Sequence, residues 1–232
     1  MIYLVMIINL VDLGRMSYGQ ALKIQKAAVD SVREGIIDGT FFLVEHPPVL
    51  TMGRRAERSN ILASNDVLKS EGVELFDIER GGDVTYHGPG QIVGYPVLDL
   101  TKFDKDLHKY VADIEEVFVR LLHNEYGIET KKDKGKYTGV YIDNRKITAI
   151  GIAVRKWISF HGFAFNVSTN LKHFDWIIPC GLSDRSVTSL ELETGLSQNF
   201  SRVKKLTAEY FEKVFGVELT ERKLEEIYNE QN

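Results

Sequence analysis

The sequence predicts an α+β fold: a mixed or antiparallel sheet with helices packed on it. Strand-like segments come in hairpins and runs, a long amphipathic helix covers residues 106–126, and the tail over residues 201–231 reads as helical. A doubly wound parallel sheet would need strict alternation of strand and helix, which is missing. The 232 residues are read as one domain (1–232), with its core over about 11–215 and its helical tail over about 201–231.

The first ten residues are apolar and rich in β-branched side chains. They lack a basic start, and Asn9 and Asp12 end the run far short of the ~20 residues a membrane span needs, so they predict a buried strand. Ser17 suits an N-cap, and Ala21, Leu22, Gln25, Ala28, Val29 and Val32 lay a weakly apolar stripe on a helix ending near Gly35. Residues 40–44 form a short strand, stopped by His46-Pro47-Pro48 because proline has no amide proton for a ladder. The basic loop Gly53-Arg54-Arg55 follows, then a short helix over 64–71 and a strand over 73–78.

Residues 80–91 read as a loop or hairpin and residues 92–98 as a strand. In the long helix Leu107, Tyr110, Val111, Ile114, Val117, Phe118, Leu121 and Leu122 recur at three- and four-residue steps, and Gly127 stops it. Residues 139–142, a turn at Asp143-Asn144 and residues 147–154 make a hairpin, and residues 157–167 alternate as a further strand. The tail divides into two helices, around Leu206/Phe211/Phe215 and Leu224/Ile227.

Composition bounds the function. Hydrophobic residues make up 44% and charged residues 27%, which excludes wholesale disorder. With 29 Lys+Arg against 33 Asp+Glu, the net charge of −4 argues against a general nucleic-acid binder. One cysteine, Cys180, excludes an internal disulfide framework and a cysteine-cluster zinc site, and makes a reducing cytoplasm the expected location. No His-Glu-x-x-His pattern occurs, so no metal site is expected, and no later stretch is long enough to span a bilayer, so no membrane segment is expected.

The densest chemical signal is Arg80-Gly-Gly-Asp-Val-Thr-Tyr-His-Gly-Pro-Gly-Gln91. It lacks the Gly-Lys-Ser/Thr of a phosphate loop, and its glycine spacing is not that of a dinucleotide fingerprint. A tight turn would explain the glycines. It would not explain the costly polar company of Arg80, Asp83, Thr85, Tyr86 and His87. Cys180 lies between Pro179 and Gly181 after an apolar run, at a bend where a sulfur can project into a cleft; a nucleophilic cysteine then needs a base or cation nearby. Of the six histidines, His87 and His161, each followed by glycine, are the site candidates, while His108 and His123 read as surface residues of the long helix.

These residues resemble the lipoyl(octanoyl) transferase family, octanoyl-[acyl-carrier-protein]:protein N-octanoyltransferases with a biotin/lipoate ligase-like fold. The resemblance rests on the glycine-rich block at 80–91 and on Arg145-Lys-Ile-Thr-Ala-Ile-Gly151. His161-Gly-Phe-Ala-Phe-Asn166, Pro179-Cys-Gly-Leu182 and Val187-Thr-Ser-Leu190 complete it, in the same order, over about residues 11–215. It implies an acyl-thioester nucleophile at Cys180 and a partner at Lys146 that lowers its pKa. It also implies a substrate site made by Arg80, Gly81, Gly82, Asp83, Val84, Thr85, Tyr86 and His87, by Ala149, Ile150 and Gly151, and by Gly162, Phe163 and Ala164. The implied donor is octanoyl-acyl carrier protein. The implied acceptors are the lipoyl domains of 2-oxo acid dehydrogenase complexes and the glycine cleavage H protein, and no cofactor is required.

The chemistry stands independently. A thiol of pKa ~8.5 is only a few per cent thiolate at neutral pH. An ammonium at ~4 Å in an effective dielectric of ~20 offers about 4 kcal/mol toward the thiolate before desolvation opposes it. The nearest rival is an ATP-dependent lipoate or biotin ligase on the same fold, which activates a free acid as an adenylate and needs no cysteine. A non-catalytic module that holds a carrier domain, and a simple thioesterase, are the other readings.

Overall fold

In the computed structural model, which describes residues 5–133, 138–178 and 186–229, three central strands are apolar on both faces: β2 (Gly39–Glu45), β6 (Gln91–Leu98) and β10 (Ile158–Asn166). Side chains alternate across a strand, so Phe41 and Leu43 face one core while Phe42 and Val44 face another. Among the described residues the main sheet has nine strands, ordered β12 (Val217–Glu221), β1 (Met6–Arg15), β2, β6, β10, β9 (Arg145–Arg155), β8 (Gly139–Ile142) and β7 (Lys131–Lys132), with β11 (Ser186–Val187) also pairing with β9. The β1–β2, β1–β12 and β9–β11 pairs are parallel and the others antiparallel, so the sheet is mixed as expected.

Helix α1 (Tyr18–Arg33) covers one face, with Ser17 accepting from the amide of Gln20 as its N-cap. Helices α3 (Leu107–Tyr126) and α5 (Phe200–Phe215) cover the other. Asp106 caps α3 through the amides of His108 and Lys109, and Gly127, at φ 64°, ends it in the left-handed conformation that glycine adopts without strain. Phe118 of α3 is fully buried against Phe163 and Phe165 of β10, with ring centroids 4.7 and 5.0 Å away. Truncating such a ring to alanine costs about 3–5 kcal/mol. A second sheet, β4 (Glu74–Asp77), β3 (Val49–Met52) and β5 (Val84–His87), packs on the turn Leu171–Trp176 through Leu50, Tyr86, Phe174 and Ile177. Among the described residues no helix is long and apolar enough to cross a membrane.

The structure departs from the sequence expectations at four places. β3 is a strand that the Pro47-Pro48 break concealed, and its four residues are too few to show a period. β12 splits the tail between α5 and α6 (Leu224–Asn229), so the segment after Phe215 is not wholly helical. Val217-Glu218-Leu219-Thr220 alternates over too few residues to stand out from the flanking helices, and parallel pairing with β1 supplies what local pattern does not. The first strand runs on past Asn9 and Asp12 to Arg15, with only Ile8 and Val11 buried, and Ile7 is 53% exposed. The short helix α4 (Leu190–Thr194) is not among the expected elements, although Ser189 as N-cap, Glu191 and Glu193 in its first turn and Gly195 as its stop mark it.

Candidate active site

The glycine-rich segment works as a seam. Gly81 donates its amide to Ile152 O of β9 at 2.9 Å, docking the loop on the main sheet. The amides of Gly53, Arg54 and Arg55 donate to the carbonyls of Asp83, Arg80 and Gly82, joining the same loop to the basic segment after β3. Arg80 is buried; its Nη2 donates to Thr51 O at 2.7 Å and Thr51 Oγ1 at 3.0 Å, and its Nη1 to Gly81 O at 3.0 Å. The side chain crosses β9 at Gly151, where a Cβ would stand 2.9 Å from Arg80 Cδ and 3.1 Å from Gly81 O. Glycine at 151 is therefore a close-approach requirement.

Between this loop, β9–β10 and the N-terminal half of α3 lies a cavity of about 710 Å³. It explains why residues 149–152 of β9, inside the sheet, remain half-exposed. Arg80, Gly81, Gly82, Asp83, Val84, Thr85, His87, Lys146, Ala149, Ile150, Gly151, Gly162, Phe163 and Ala164 all line it. Tyr86 does not. Its ring occupies the space under Gly88 and packs against Phe174 and Trp176, and its hydroxyl bonds His173 Nδ1 at 2.7 Å. Lys146 Nζ donates to Thr138 O at 3.5 Å and lies 5.2 Å from the centre of the Tyr141 ring. Cys180 and its neighbours Pro179, Gly181 and Leu182 lie outside the described residues.

Three neutral histidines stand beside the cavity. His87 Nδ1 bonds Gln91 Oε1 at 2.8 Å; the Gln91 amide nitrogen is committed to Asn166 Oδ1 and Tyr86 O, so the network assigns the proton to Nδ1. His46 Nδ1 donates to Met16 O at 2.7 Å and its Nε2 accepts from Tyr95 Oη at 2.8 Å. Burial pushes His46 down to about 4, and pushes His87 and His161 to about 3, with the Arg80 guanidinium adding to the effect on His161. His161 holds φ 56°, uncommon for a residue with a Cβ, and its amide donates to Gln25 Oε1 at 2.8 Å. Its Nδ1 lies 3.4 Å from Tyr18 Oη, and among the described residues its Nε2 has no hydrogen-bond partner.

The sequence model of the lipoyl protein ligase A/B catalytic domain matches residues 17–212. The chain belongs to that family. Within it, a protein of Caldicellulosiruptor bescii named octanoyltransferase is 53% identical over 92% of this chain and 94% of its own length. An octanoyltransferase of Desulforamulus reducens is 47% identical over 93% and 95%. Among solved structures, the bipartite lipoate protein ligase of Thermoplasma acidophilum has a TM-score of 0.71 at 16% identity, covering 97% of this chain and 91% of that one, and thus shares the fold. Lipoate-protein ligase A bound with ATP has a TM-score of 0.72 at 16% identity, covering 98% and 94%.

In this lipoyl ligase-family domain, motif residues also hold the stretches of chain on either side of residues 179–185. Asp83 Oδ2 accepts from Asn60 Nδ2 at 2.8 Å, and Asn60 O accepts from the amide of Ile178 at 2.8 Å. On the other side, Asn166 Nδ2 donates to Thr188 O at 3.0 Å, and the Thr188 amide donates to Lys146 O at 2.9 Å. Asp83 thus acts as an anchor of the loop, since its other oxygen accepts the Val84 amide at 2.7 Å.

Tyr18, Arg55, Gln91, Leu107, His108, Glu115, Lys132 and Asn166 also line the cavity, and none was assigned to it from the sequence. His108 was read as a plain surface residue. Gln91 and Asn166 close their motif blocks and were within reach of the reading. Glu115 carried one signal, a carboxylate on the apolar face of α3 one residue after Ile114.

Proposed function

We infer that this chain is an octanoyltransferase that serves protein lipoylation. The observation that carries this is the naming of relatives 42–53% identical over nearly their whole lengths, on a chain whose cavity gathers the glycine-rich loop, β9 and Lys146. The donor we propose is an octanoyl thioester on an acyl carrier protein, and the acceptor a lysine of a lipoyl domain. The cavity volume lies in the range of about 300–1,000 Å³ usual for small-molecule clefts, roomy enough for an octanoyl chain.

Cys180 is the proposed nucleophile and Lys146 its proton partner. Support comes from the strand that follows Cys180 in sequence: Val187 pairs with Lys146. The Cys180 thiolate attacks the thioester carbonyl, a C–S bond to Cys180 forms, and the donor's C–S bond breaks. The leaving thiolate takes a proton from the Lys146 ammonium. The resulting Lys146 amine then accepts a proton from the acceptor's ammonium, and the freed amine attacks the acyl carbon; a C–N bond replaces the C–S bond, Cys180 leaves as the thiolate and the surplus nitrogen proton passes to solvent. Thioester exchange is nearly balanced in energy, and amide formation drives the sequence forward.

Mass spectrometry of the intact protein after exposure to octanoyl-acyl carrier protein tests this. Gain of one octanoyl group on Cys180 without acceptor, discharged on adding a lipoyl domain, is the expected result. Adducts on lysines alone, or lipoate-dependent ATP–pyrophosphate exchange, would overturn it.

A further inference from the structure

Glu115 is a carboxylate in an expensive place. It is 5% exposed, sits on α3, and lines the same cavity as Lys146. Its Oε1 accepts the amide of Gly139 at 3.1 Å, while Lys146 Nζ donates to Thr138 O. Those two groups are the N–H and the C=O of one peptide unit. The Lys146 side chain passes directly over it: a Cβ at Gly139 would lie 3.4 Å from Lys146 Cε. The carboxylate and the ammonium therefore grip opposite ends of a single peptide dipole, at most roughly 9 Å apart by standard peptide geometry. A negative charge on the N–H polarises the carbonyl and strengthens its hold on a cation, as in any hydrogen-bond chain.

We propose that Glu115 is a positioning residue, which acts through the Thr138–Gly139 peptide to hold Lys146 at one place in the cavity and in its ammonium form. This rests on the reading of Lys146 as the proton partner of Cys180. The other charges near Glu115 are already occupied or opposed. From β7, Lys132 Nζ is engaged by Glu116 Oε2 at 2.5 Å and by Ala112 O at 3.4 Å, and Asp133 beyond it works against the Glu115 charge. From α3, Glu116 is shared between Lys132 and Arg120. From β9, Lys146 favours the ionised form. Burial lifts the carboxyl above the ordinary range, and the Gly139 amide and the two lysines oppose that lift.

Glu115→Gln keeps an acceptor for Gly139 and removes the charge. In protein labelled at lysine ¹³Cε, with the Lys146 signal assigned from Lys146→Arg, Glu115→Gln should lower the Lys146 pKa by about 1.4 units at an effective dielectric of ~20. The alkaline limb of octanoyl transfer from a small thioester should move down with it, and Glu115→Asp should restore part of the shift. The wild-type protein gives a check that needs no variant: protonation of Glu115 at low pH must appear as a step in the Lys146 ¹³Cε shift. An unmoved Lys146 titration in Glu115→Gln, with activity lost evenly at every pH, makes Glu115 merely structural and overturns the proposal. If instead Lys146→Ala leaves the wild-type rate and pH profile unchanged, it is the Lys146 reading that fails.

Discussion

Gln91 Nε2 donates to Asn166 Oδ1 at 2.9 Å, and this buried bond joins the end of the glycine-rich loop to the end of β10. From it the network runs back to His87 through Gln91 Oε1 and forward to Thr188 O through Asn166 Nδ2. Thr188 in turn donates its hydroxyl to Glu193 Oε1 at 2.6 Å, and Glu193 accepts from Arg145 Nε at 2.8 Å. Four motif blocks distant in sequence are thus one connected set of polar groups.

Asn166→Ala leaves Thr188 O without its partner and leaves Gln91 Nε2 only its longer bond to Tyr86 O at 3.4 Å. Each stranded buried group costs about 1–3 kcal/mol. Urea unfolding should show a loss of a few kcal/mol, and transfer activity should fall more steeply than stability predicts, because Thr188 borders Lys146. Wild-type stability in this variant would mean that the network is not holding the site.

Acid should weaken the fold well before ordinary carboxylates titrate. His46, His87 and His161 titrate at about 4, 3 and 3 when folded, against about 6.5 when unfolded. Between those values the unfolded chain binds more protons, so the stability present above pH ~6.5 is lost as pH falls toward the folded values. The slope for each histidine rises through pH ~6.5 toward a limit of about 1.4 kcal/mol per pH unit, so the three together lose about 4 kcal/mol between pH 7.5 and 5.5. Unfolding free energies at the two pH values test this, and His46→Gln should flatten the slope by about one third.

Two glycines on the strands flanking β10 should behave differently when changed to alanine. At Gly94 the added methyl collides with the Phe163 ring, which is fixed between Phe118 and Phe41. Overpacking there should cost about 1–3 kcal/mol or more in stability. At Gly151 the methyl meets the Arg80 stem, which can move at the expense of its bonds to Thr51. Gly151→Ala should keep most of the thermal stability and lose activity. The reverse ordering of the two variants would contradict the close-approach role of Gly151.

Arg54, Arg55 and Arg58 are exposed, and Arg55 lines the cavity mouth on a segment bonded to the glycine-rich loop. We expect them to steer an acidic carrier-bound donor. Reversing Arg54 and Arg55 to Glu should raise KM for that donor severalfold, more at low salt than at high, and leave a small octanoyl thioester nearly unaffected. Equal losses with both donors would assign the arginines to folding or chemistry instead. A second basic run in the sequence, Lys131, Lys132, Lys134 and Lys136, offers less. Lys132 is held by Glu116, and Lys134 and Lys136 lie outside the described residues.

Much of this was legible in the sequence, and the rest was not for identifiable reasons. The long helix, its Asp106 cap and its Gly127 stop are local properties of residues three and four apart, so α3 could be read closely. The glycine-rich block was legible as chemistry because Arg80 and His87 keep company that a turn does not need, whereas Lys146 was legible only through the family resemblance. Partners set by tertiary contact were not legible. Tyr86 belongs to a motif yet serves the small sheet's core, because Gly88 leaves room for its ring only there. Glu115 looked like one more charge on a helix, since its partner Gly139 becomes its neighbour only when β8 folds against α3. β12 needed β1 as a template.

That last pairing bears on how the protein is made. Met6 pairs with Val217 and Leu10 with Glu221. During synthesis β1 is made about two hundred residues before its partner on that side. Until then a strand with exposed Ile7 offers an open row of amides and carbonyls to any other chain nearby. Closing so long a loop is also slow. Ribosome-stalled chains ending before residue 217 should therefore recruit chaperones or self-associate, and release once the final strand is out.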